Sequence, residues 1–280
     1  MQLGIDIGGT TINIGLVNDG AVLQSVSFPS FEKDATLPQT LDHLRECIDK
    51  VITPEVDFIG IGVPSVVDSV RGIVYDTANI ASWKEVHIKE ELEKTYGLSV
   101  SVNNDANCFA IGAASACGCD KDGIVVGVTL GTGVGMGVVY NGLLISGANS
   151  GVGELSCLPY KEKTYEDYCS KMFFLGKGST PKDNYDRAMD GDVRSLDLFK
   201  EFGHHLAALI KMVLCAYDPN VIIIGGGVSK SSDLFDSAMR EELGRIFPFP
   251  RSLDALRIIY TSKPDVPIAG ASLLNVAQVI

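Results

Sequence analysis

Two stretches of this chain repeat one pattern of glycines and apolar residues at a separation of about 120 residues. The first is GIDIGGTTINIGLVNDGAVL (residues 4–23), and the second is GVTLGTGVGMGVVYNGLLI (residues 127–145). With one residue skipped, the glycines at 4, 8, 15 and 20 match those at 127, 131, 137 and 142. The repeat indicates a duplicated domain, although glycine is common here and two glycine-rich hairpins can also resemble each other by chance.

Each repeat has the pattern of a strand, a glycine turn and a second strand. In the first copy, TINIGLV alternates with a period of two, which is typical of a strand, and NDG then marks another turn. The element is not a dinucleotide-binding fingerprint, because it lacks G-x-G-x-x-G and no helix follows the glycines. It also lacks the G-K-[ST] of a P-loop.

The rest of the chain alternates between strand-like and helix-like segments. Residues 58–68 and 221–229 are predicted to be buried strands, the first running into a loop, and residues 100–116 a strand that turns into a helix. Residues 194–217 are helical in pattern up to Asp218-Pro219, and residues 267–280 form a final apolar helix. This alternation predicts an α/β architecture with covered sheets. The polar, weakly periodic residues 160–195 are predicted to be irregular and to lie near a cleft.

Charge and composition narrow the partners. The 280 residues carry a formal net charge of −12 without a cluster of lysines and arginines, which argues against nucleic acid as a partner but leaves ATP open. No apolar run approaches a membrane span, and no signal peptide opens the chain, so we expect a cytoplasmic protein with no membrane partner. Seven scattered cysteines are typical of reduced core thiols, and their spacing does not match a zinc knuckle.

The two glycine turns are candidates for binding phosphates. Backbone N–H groups approach a ligand closely where no Cβ interferes, which would explain Gly8, Gly9, Gly131 and Gly133. The hydroxyl groups of Thr10 and Thr132 would add to them. An aspartate at the end of a buried strand, Asp6, could meet Mg²⁺ or its waters, or it could cap its own turn.

The segment NNDAN (residues 103–107) offers a carboxylate for phosphoryl transfer. It follows a strand and opens a helix, so Asp105 would project from the end of a strand. Asn104 or Asp105 could also simply cap the helix, and both roles can hold together. Aspartate is a weak base at neutral pH, but positioning does most of the work in kinases.

Five motifs occur in order along the chain: DIGGT (6–10), NDAN (104–107), GTGVGMG (131–137), GE (153–154) and IIIGGGVS (222–229). Together they resemble the ROK family of sugar kinases, within the actin/hexokinase/Hsp70 superfamily. The resemblance runs end to end and includes GASLL near the C-terminus. It implies duplicated ribonuclease H-like (actin-like ATPase) α/β domains, with a cleft between them that closes on a sugar, ATP and Mg²⁺.

The resemblance also implies roles for single residues. Asp105 matches the catalytic base that takes the proton from the 6-hydroxyl of the sugar. The sugar-binding positions are Asn79, Asn104, Asp105, Glu154, Glu166, Pro64 and Ser65, with Pro64-Ser65 standing where the family usually has Pro-Gly. The ATP-binding positions are Gly8, Gly9, Thr10, Thr11, Gly131, Thr132, Gly133, Gly225 and Gly226, the last two facing the adenosine. Asp6 would lie beside the Mg²⁺ that accompanies ATP.

The chain departs from the family at its zinc site. The family usually reads G-E-x-G-H, and here GELSC places Cys157 where the histidine stands. The cysteine cluster C-x-C-G-x-x-G-C is also missing. We therefore expect no structural zinc, and we expect Tyr160, Tyr165 and Tyr168 to order this segment by packing. The four histidines fall outside the motifs, and we interpret them as structural.

The resemblance predicts an enzyme that phosphorylates a hexose at its 6-hydroxyl with ATP, and from the family alone we also expect a homodimer. Glucose is the expected acceptor, with fructose and N-acetylated hexosamines as alternatives. We expect a small domain of residues 1–104, completed by a C-terminal helix of residues 266–280, and a larger domain of residues 105–265.

Two other classes of function are disfavoured. Sugar-sensing ROK transcriptional regulators carry a helix-turn-helix before the first glycine motif, which here starts at residue 4. The presence of Asp6, Thr10, Asn104 and Asp105 argues against a non-catalytic sugar-binding protein.

Overall fold

A computed structural model describes residues 1–77 and 79–276 of the chain. Within these ranges the strands are β1 (Gln2–Ile7), β2 (Thr11–Asn18), β3 (Ala21–Pro29), β4 (Phe58–Val63), β5 (Val66–Asp68), β6 (Ile73–Tyr75), β7 (Glu85–Val86), β8 (Ser99–Asn104), β9 (Ile124–Leu130), β10 (Val134–Tyr140), β11 (Leu143–Ile145), β12 (Pro159–Tyr160), β13 (Lys163–Thr164), β14 (Val221–Gly225) and β15 (Arg257–Tyr260).

The helices in the same part of the chain are α1 (Leu37–Asp49), α2 (Ile88–Tyr96), α3 (Asp105–Ala116), α4 (Tyr165–Cys169), α5 (Lys171–Gly176), α6 (Pro181–Met189), α7 (Val193–Tyr217), α8 (Ser232–Ile246), α9 (Pro250–Ala255) and α10 (Val266–Ser272). Short 3₁₀ helices cover Glu154–Cys157, Val228–Ser231 and Leu273–Asn275.

The chain divides into two compact units. The first contains residues 1–121, 137–152 and 263–276, and the second contains residues 122–136 and 153–262. The predicted domain boundary assigned residues 105–265 to one domain, whereas α3 and residues 137–152 belong to the first unit. The reason lies in α3, which packs closely against α10 within this unit.

The first unit is built on a sheet with the strand order β3-β2-β1-β4-β8. Strands β1, β2 and β3 are antiparallel neighbours, whereas β1, β4 and β8 run parallel. Apolar side chains of β1 and β4 form the core together with Leu44 and Ile48 of α1 and Leu92 of α2. The predicted Gly hairpin is confirmed, and its second turn holds Asp19 and Gly20 at φ 46° and 76°, the pair of positive angles that a tight hairpin turn requires.

A second sheet, with the strand order β11-β10-β9-β14-β15, repeats this arrangement. Strand β9 is hydrogen-bonded to β10 on one side and lies parallel to β14 on the other, and β15 follows β14 in parallel. Strand β10 crosses the boundary, and its later residues pair antiparallel with β11 in the first unit, as β2 pairs with β3. The duplicated α/β fold predicted from the glycine repeat is therefore confirmed in its strand topology.

Small residues let α10 lie directly on the sheet of the first unit. A Cβ added at Gly4 or Gly60 would overlap a backbone carbonyl of α10, at Ile268 or Ala271. In the same way, Gly112 of α3 faces Val266, and Gly270 of α10 faces Cys108. This close packing fixes α3, which carries Asp105 at its first turn, against the rest of the unit.

The prediction of irregular structure over residues 160–195 is wrong. These residues form the β12–β13 hairpin and helices α4, α5 and α6, and α7 begins at Val193. Each of these short helices starts at a side-chain cap. The cap is Thr164 with Asp167 for α4, Ser170 for α5, and Thr180 with Asp183 for α6. Caps satisfy the first backbone N–H groups of a short helix, so polar residues support helix starts here although the apolar period is weak.

Other predicted elements are confirmed with small changes in their bounds. The strand and helix of residues 100–116 are β8 and α3, and the helix of residues 194–217 is α7, which ends at Asp218 in a left-handed conformation. The final helix is α10 followed by a 3₁₀ turn, and residues 277–280 of the prediction lie outside the described residues. Among the residues that the structure describes, no helix has the length and apolar character needed to cross a membrane.

Candidate active site

In the first unit, several predicted site residues lie at or just after the carboxyl ends of three parallel strands. In the strand register, Asp6 of β1 pairs with Gly62 of β4, and Gly62 pairs with Asn103 of β8. Parallel neighbours lie about 4.8 Å apart, so these ends share one edge of the sheet. Ligands of open α/β sheets bind at such an edge. The topology therefore brings Asp6, the Pro64-Ser65 segment and the Asn104-Asp105 pair together.

Asp6 is held by a partner on the neighbouring strand. Asn13 Nδ2 donates to Asp6 Oδ2 at 3.2 Å, and Ser27 Oγ donates to Asn13 Oδ1 at 2.8 Å. Burial raises the pKa of Asp6, and the hydrogen bond from Asn13 opposes that shift. Asn13 was not among the predicted site residues, although the hairpin register places it directly opposite Asp6. The carboxylate is an oxygen ligand of the kind that Mg²⁺ prefers, and Asn13 fixes its orientation.

Asn104 and Asp105 both take part in the start of α3. Asn104 Oδ1 accepts from the backbone N–H of Ala106 at 2.9 Å and of Asn107 at 3.3 Å, which makes it the N-cap. Asp105 Oδ1 also accepts from Ala106 N, at 2.8 Å. The cap predicted for this segment is present, and Asp105 is the first helical residue. Burial, followed by the charges of Asp105 and then Asp6, raises the pKa of the Cys108 thiol, so both carboxylates lie near one buried group.

A buried network of amides and hydroxyls, also missed by the sequence analysis, supports this helix start. Asn103 Oδ1 accepts from Asn104 N at 2.8 Å and from Asn107 Nδ2 at 2.9 Å. Asn103 Nδ2 lies 3.5 Å from Ser146 Oγ, and Asn107 Nδ2 donates to the carbonyl of Ser150 at 3.2 Å. The motif NDAN therefore contains a cap, a candidate base and a buried anchor.

Asn79 lies against the first glycine turn. A Cβ added at Gly9 would come within 3.3 Å of Asn79 Cγ, so the glycine makes room for this amide. The loop that carries Asn79 is closed by backbone bonds from Thr77 N to Trp83 O and from Trp83 N to Ile80 O. Trp83 is fully buried, and its Nε1 donates to Thr40 Oγ1 at 2.8 Å. Trp83 is thus a core residue that also anchors the Asn79 loop.

The first glycine turn uses part of its own hydrogen-bonding capacity. Gly8 N donates to the carbonyl of Thr11 at 2.8 Å, and the Gly8 carbonyl accepts from Ser30 Oγ at 2.8 Å. Gly9 and Thr10 form the exposed tip, and Thr11 begins β2. The tip is therefore the part of this turn that is open to a ligand.

In the second unit, the matching turn is bound by Glu166. Glu166 Oε2 accepts from the backbone N–H of Val134 at 3.1 Å, and a Cβ added at Gly133 would overlap that carboxylate. Gly131 N closes the turn on Gly133 O at 2.9 Å, and Thr132 is exposed. Gly133 thus leaves room for the Glu166 carboxylate, a contact that the sequence did not reveal.

Glu154 lies near Glu166 in the same unit. It begins a 3₁₀ helix directly after Gly153. Gly153 has a φ of 105°, which glycine adopts readily and which would strain any other residue. Glu154 is exposed, yet desolvation of its carboxylate and then the charge of Glu166 raise its pKa. Two neighbouring carboxylates at a glycine turn form an acceptor-rich surface that suits sugar hydroxyls or a cation. Cys157, at the end of the same 3₁₀ helix, is exposed.

The glycines after β14 lie beside this turn. Gly226 has a φ of 92°, and a Cβ there would lie 2.5 Å from the Leu130 carbonyl at the end of β9. Gly225 pairs with Thr129 in the strand register. The second unit therefore brings Gly225 and Gly226 next to the Gly131–Gly133 turn.

The tyrosines that were predicted to order the segment after Glu154 do pack together. Tyr160 stacks on Tyr165 with a centroid separation of 4.4 Å and meets Tyr168 edge-on at 5.3 Å. The Tyr160 hydroxyl lies 3.1 Å from Nδ1 of buried His205 on α7. Among the described residues, no group of three or more His, Cys, Asp or Glu side chains is arranged to hold a metal ion.

Comparison with known proteins matches residues 2–274 to the ROK family. The chain is 30% identical over 275 residues to a glucokinase of Thermotoga maritima, with 86% of each chain covered. It is 29% identical over 266 residues to an N-acetyl-D-glucosamine kinase of Vibrio cholerae, covering 84% of this chain and 87% of the relative. The structure of a ROK family glucokinase from Streptomyces griseus with glucose and AMPPNP superimposes with a TM-score of 0.81, at 24% identity and 98% coverage of both chains. That likeness establishes the fold.

Proposed function

The chain belongs to the ROK family, and from this we propose that it is a sugar kinase that transfers the γ-phosphoryl group of ATP to the 6-hydroxyl of a hexose. The main observation in support is that Asp6, Ser65 and Asp105 lie at the same edge of one sheet. The chain is also related to glucokinases and N-acetylglucosamine kinases. Glucose and N-acetylated hexosamines are the expected acceptors, because the relatives carry those names. Fructose is a further alternative.

In the proposed reaction, Asp105 acts as the base. Its carboxylate accepts the proton of the 6-hydroxyl while the hydroxyl oxygen bonds to the γ-phosphorus, and the bond to the β-phosphate breaks with its electron pair leaving on ADP. Asn104 caps α3 and so holds the position of Asp105. The fixed helix start supplies the positioning on which phosphoryl transfer depends.

The glycine turns are proposed to hold ATP. The first unit would contribute Gly9, Thr10 and Thr11, since the N–H of Gly8 already closes its turn. The second would contribute the Gly131–Gly133 turn for the phosphates, and Gly225 with Gly226 for the adenosine. Mg²⁺ beside Asp6 would neutralise phosphate charge when ATP is bound. No structural zinc is part of the proposal.

The acceptor sugar is proposed to bind oxygen and amide groups. The proposed sugar-binding residues of the first unit are Asn79, Asn104 and the Pro64-Ser65 segment, and those of the second unit are Glu154 and Glu166. A pocket that hydrogen-bonds hydroxyls rejects analogues that lack them, because buried polar groups are then left unpaired. We further propose that the protein works as a homodimer.

A coupled ADP-release assay over a hexose panel, with Asp105→Asn beside the wild type, tests the proposal. We expect wild-type turnover with at least one hexose, and a loss in kcat of about 100-fold or more in the variant, because a positioned base contributes about that much. The amide can still accept from Ala106 N, so the helix start is kept. Asp34→Asn, at an exposed aspartate outside the site, is the matched control and should retain full activity. No turnover on any hexose, or full turnover in Asp105→Asn, would overturn the proposal.

A further inference from the structure

The first unit contains a cavity of about 560 Å³, and none of the residues proposed to bind ATP, Mg²⁺ or the acceptor lines it. Its lining includes Val66, Asp68, Val70, Arg71, Tyr75 and Asn149. These residues come from the β5–β6 hairpin and from the loop that follows β11. A volume of this size is within the range of ligand sites and leaves room for more than a small ion.

The cavity adjoins the segment proposed to bind the acceptor. The carbonyl of Ser65 accepts from Asn104 Nδ2 at 3.3 Å, and the Ser65 hydroxyl donates to the carbonyl of Tyr75. Val66 follows Ser65 in the chain, and both Val66 and Tyr75 line the cavity. Ser65 therefore links the cavity wall directly to the residue before Asp105.

The opposite wall is fixed by buried hydrogen bonds. The loop of residues 146–150 is anchored at Ser146, which Asn103 Nδ2 approaches to 3.5 Å, and at the Ser150 carbonyl, which accepts from Asn107 Nδ2. Ser150 Oγ also donates to the carbonyl of Val67 at 3.0 Å. The loop is thus tied to the start of α3 and to β5, so the cavity is formed before a ligand arrives.

The lining favours a neutral ligand that is rich in hydroxyls. Arg71 Nε donates to Asp68 Oδ2 at 2.6 Å, and Arg71 Nη2 donates to the Tyr75 hydroxyl at 3.2 Å. The two charges offset each other, so neither an anion nor a cation is favoured, while both groups can still bind hydroxyls. Val66 and Val70, exposed at 54% and 84%, offer apolar surface of the kind that the C–H face of a sugar ring covers.

We propose that this cavity is an acceptor-side subsite for a second sugar ring, so that the protein phosphorylates a hexose that is already linked to another saccharide. The inference rests on the proposed kinase function. The transfer is the same one: the 6-hydroxyl of the hexose loses its proton and gains the phosphoryl group, ADP leaves, and the bond between the two sugars is unchanged.

The experiment compares phosphorylation of glucose and N-acetylglucosamine with that of maltose and cellobiose. We expect at least one disaccharide to react with a kcat/KM within about tenfold of the best hexose. Asn149→Trp narrows the cavity from an exposed position, and Arg71→Lys keeps the charge but removes the planar fork. Each should lower kcat/KM for the disaccharide by about tenfold more than for the hexose.

Leu23→Trp is the matched control for the added indole. Leu23 lies on β3, is exposed at 62% and does not line the cavity, so this variant should leave both reactions unchanged. Hexose turnover without disaccharide turnover would overturn the subsite while leaving the kinase function intact. Equal effects of Asn149→Trp on both acceptors would overturn it as well. Failure with every acceptor would instead overturn the kinase function itself.

Discussion

At the residue scale, the surroundings of Glu154, a proposed sugar-binding residue, shift the pH at which its carboxylate is protonated. Desolvation and the charge of Glu166 raise its pKa, so its carboxylate gains a proton at a higher pH than an isolated glutamate. A protonated carboxyl offers one acceptor fewer to a sugar hydroxyl. We therefore expect the KM for the hexose to rise as the pH falls through this raised pKa.

Steady-state kinetics from about pH 5 to about pH 8 measure this dependence. Glu154→Gln should have a raised KM that no longer changes with pH in this way. Glu162→Gln, at an exposed glutamate in the nearby β12–β13 turn, is the control and should keep the wild-type profile. A wild-type KM that stays constant over this range would contradict the role given to Glu154.

His205 predicts a second pH effect, on stability. It is 3% exposed, and burial, followed by the charge of Lys161, lowers its pKa to about 4 from an ordinary value near 6.5. The unfolded chain therefore binds this proton first, and the free energy of unfolding falls as the pH drops from about 6.5 through about 4. The full loss is on the order of 3 kcal/mol.

Urea unfolding at several pH values tests the prediction for His205. The variant His205→Gln should be less stable at neutral pH and should lose most of the slope between about pH 6.5 and about pH 4. His204→Gln removes the exposed neighbouring histidine and should keep the wild-type slope. Parallel curves for the wild type and His205→Gln would show that the slope comes from other groups.

At the element scale, the contact between α3 and α10 depends on glycine. A Cβ at Gly270 would overlap the backbone carbonyl of Cys108 and lie 2.8 Å from Gly112 N, and neither backbone can yield without moving a helix. We expect Gly270→Ala to reduce the free energy of unfolding by about 1–3 kcal/mol or more. Chemical denaturation measures the change, and sugar kinase activity should fall with it because α3 carries Asp105.

Gly244→Ala gives the matched comparison. Gly244 lies within α8, where an added Cβ would meet nothing within 4 Å, so alanine should stabilise the helix by up to about 1 kcal/mol. Opposite signs for the two substitutions would confirm that close approach, and not helix propensity, explains Gly270. A neutral Gly270→Ala would contradict the packing described here.

The elements also show where sequence reasoning is reliable. Strand topology could be predicted because the glycine hairpins repeat and because apolar strands leave a clear period. Helices α4, α5 and α6 could not, since they are short and depend on caps and on the packing of Tyr160, Phe173 and Phe174. The caps are local, but Phe173 and Phe174 pack against Phe202 of α7, and a contact between residues so distant in sequence leaves no local pattern.

Some features of the candidate site could likewise be predicted from the sequence, and others could not. The positions of Asp6, Asn104 and Asp105 at strand ends follow from the sequence, because parallel strands share a carboxyl edge. The bond between Glu166 and the Val134 N–H does not, since it joins a helix to a turn more than 30 residues earlier. Asn107 and Ser150 were missed for the same reason, as their bond spans 43 residues.

At the scale of the whole molecule, we predict a homodimer. The prediction comes from the family, and the single chain does leave large apolar side chains exposed, among them Met172, Met189 and Phe249. Light scattering coupled to size exclusion should report twice the mass of the chain. Dilution into the low micromolar range distinguishes a tight dimer from a weak one, and a single-chain mass at every concentration would contradict the prediction.

The placement of α10 has a consequence for biosynthesis. Strand β1 of the first unit is synthesised before α10, which packs on the Gly4 and Gly60 surface of that sheet and comes from residues 266–272. During translation this surface lacks its cover until α10 has been made. The sheet therefore cannot reach its final packing, and its apolar surface stays exposed, until residues 266–272 have left the ribosome.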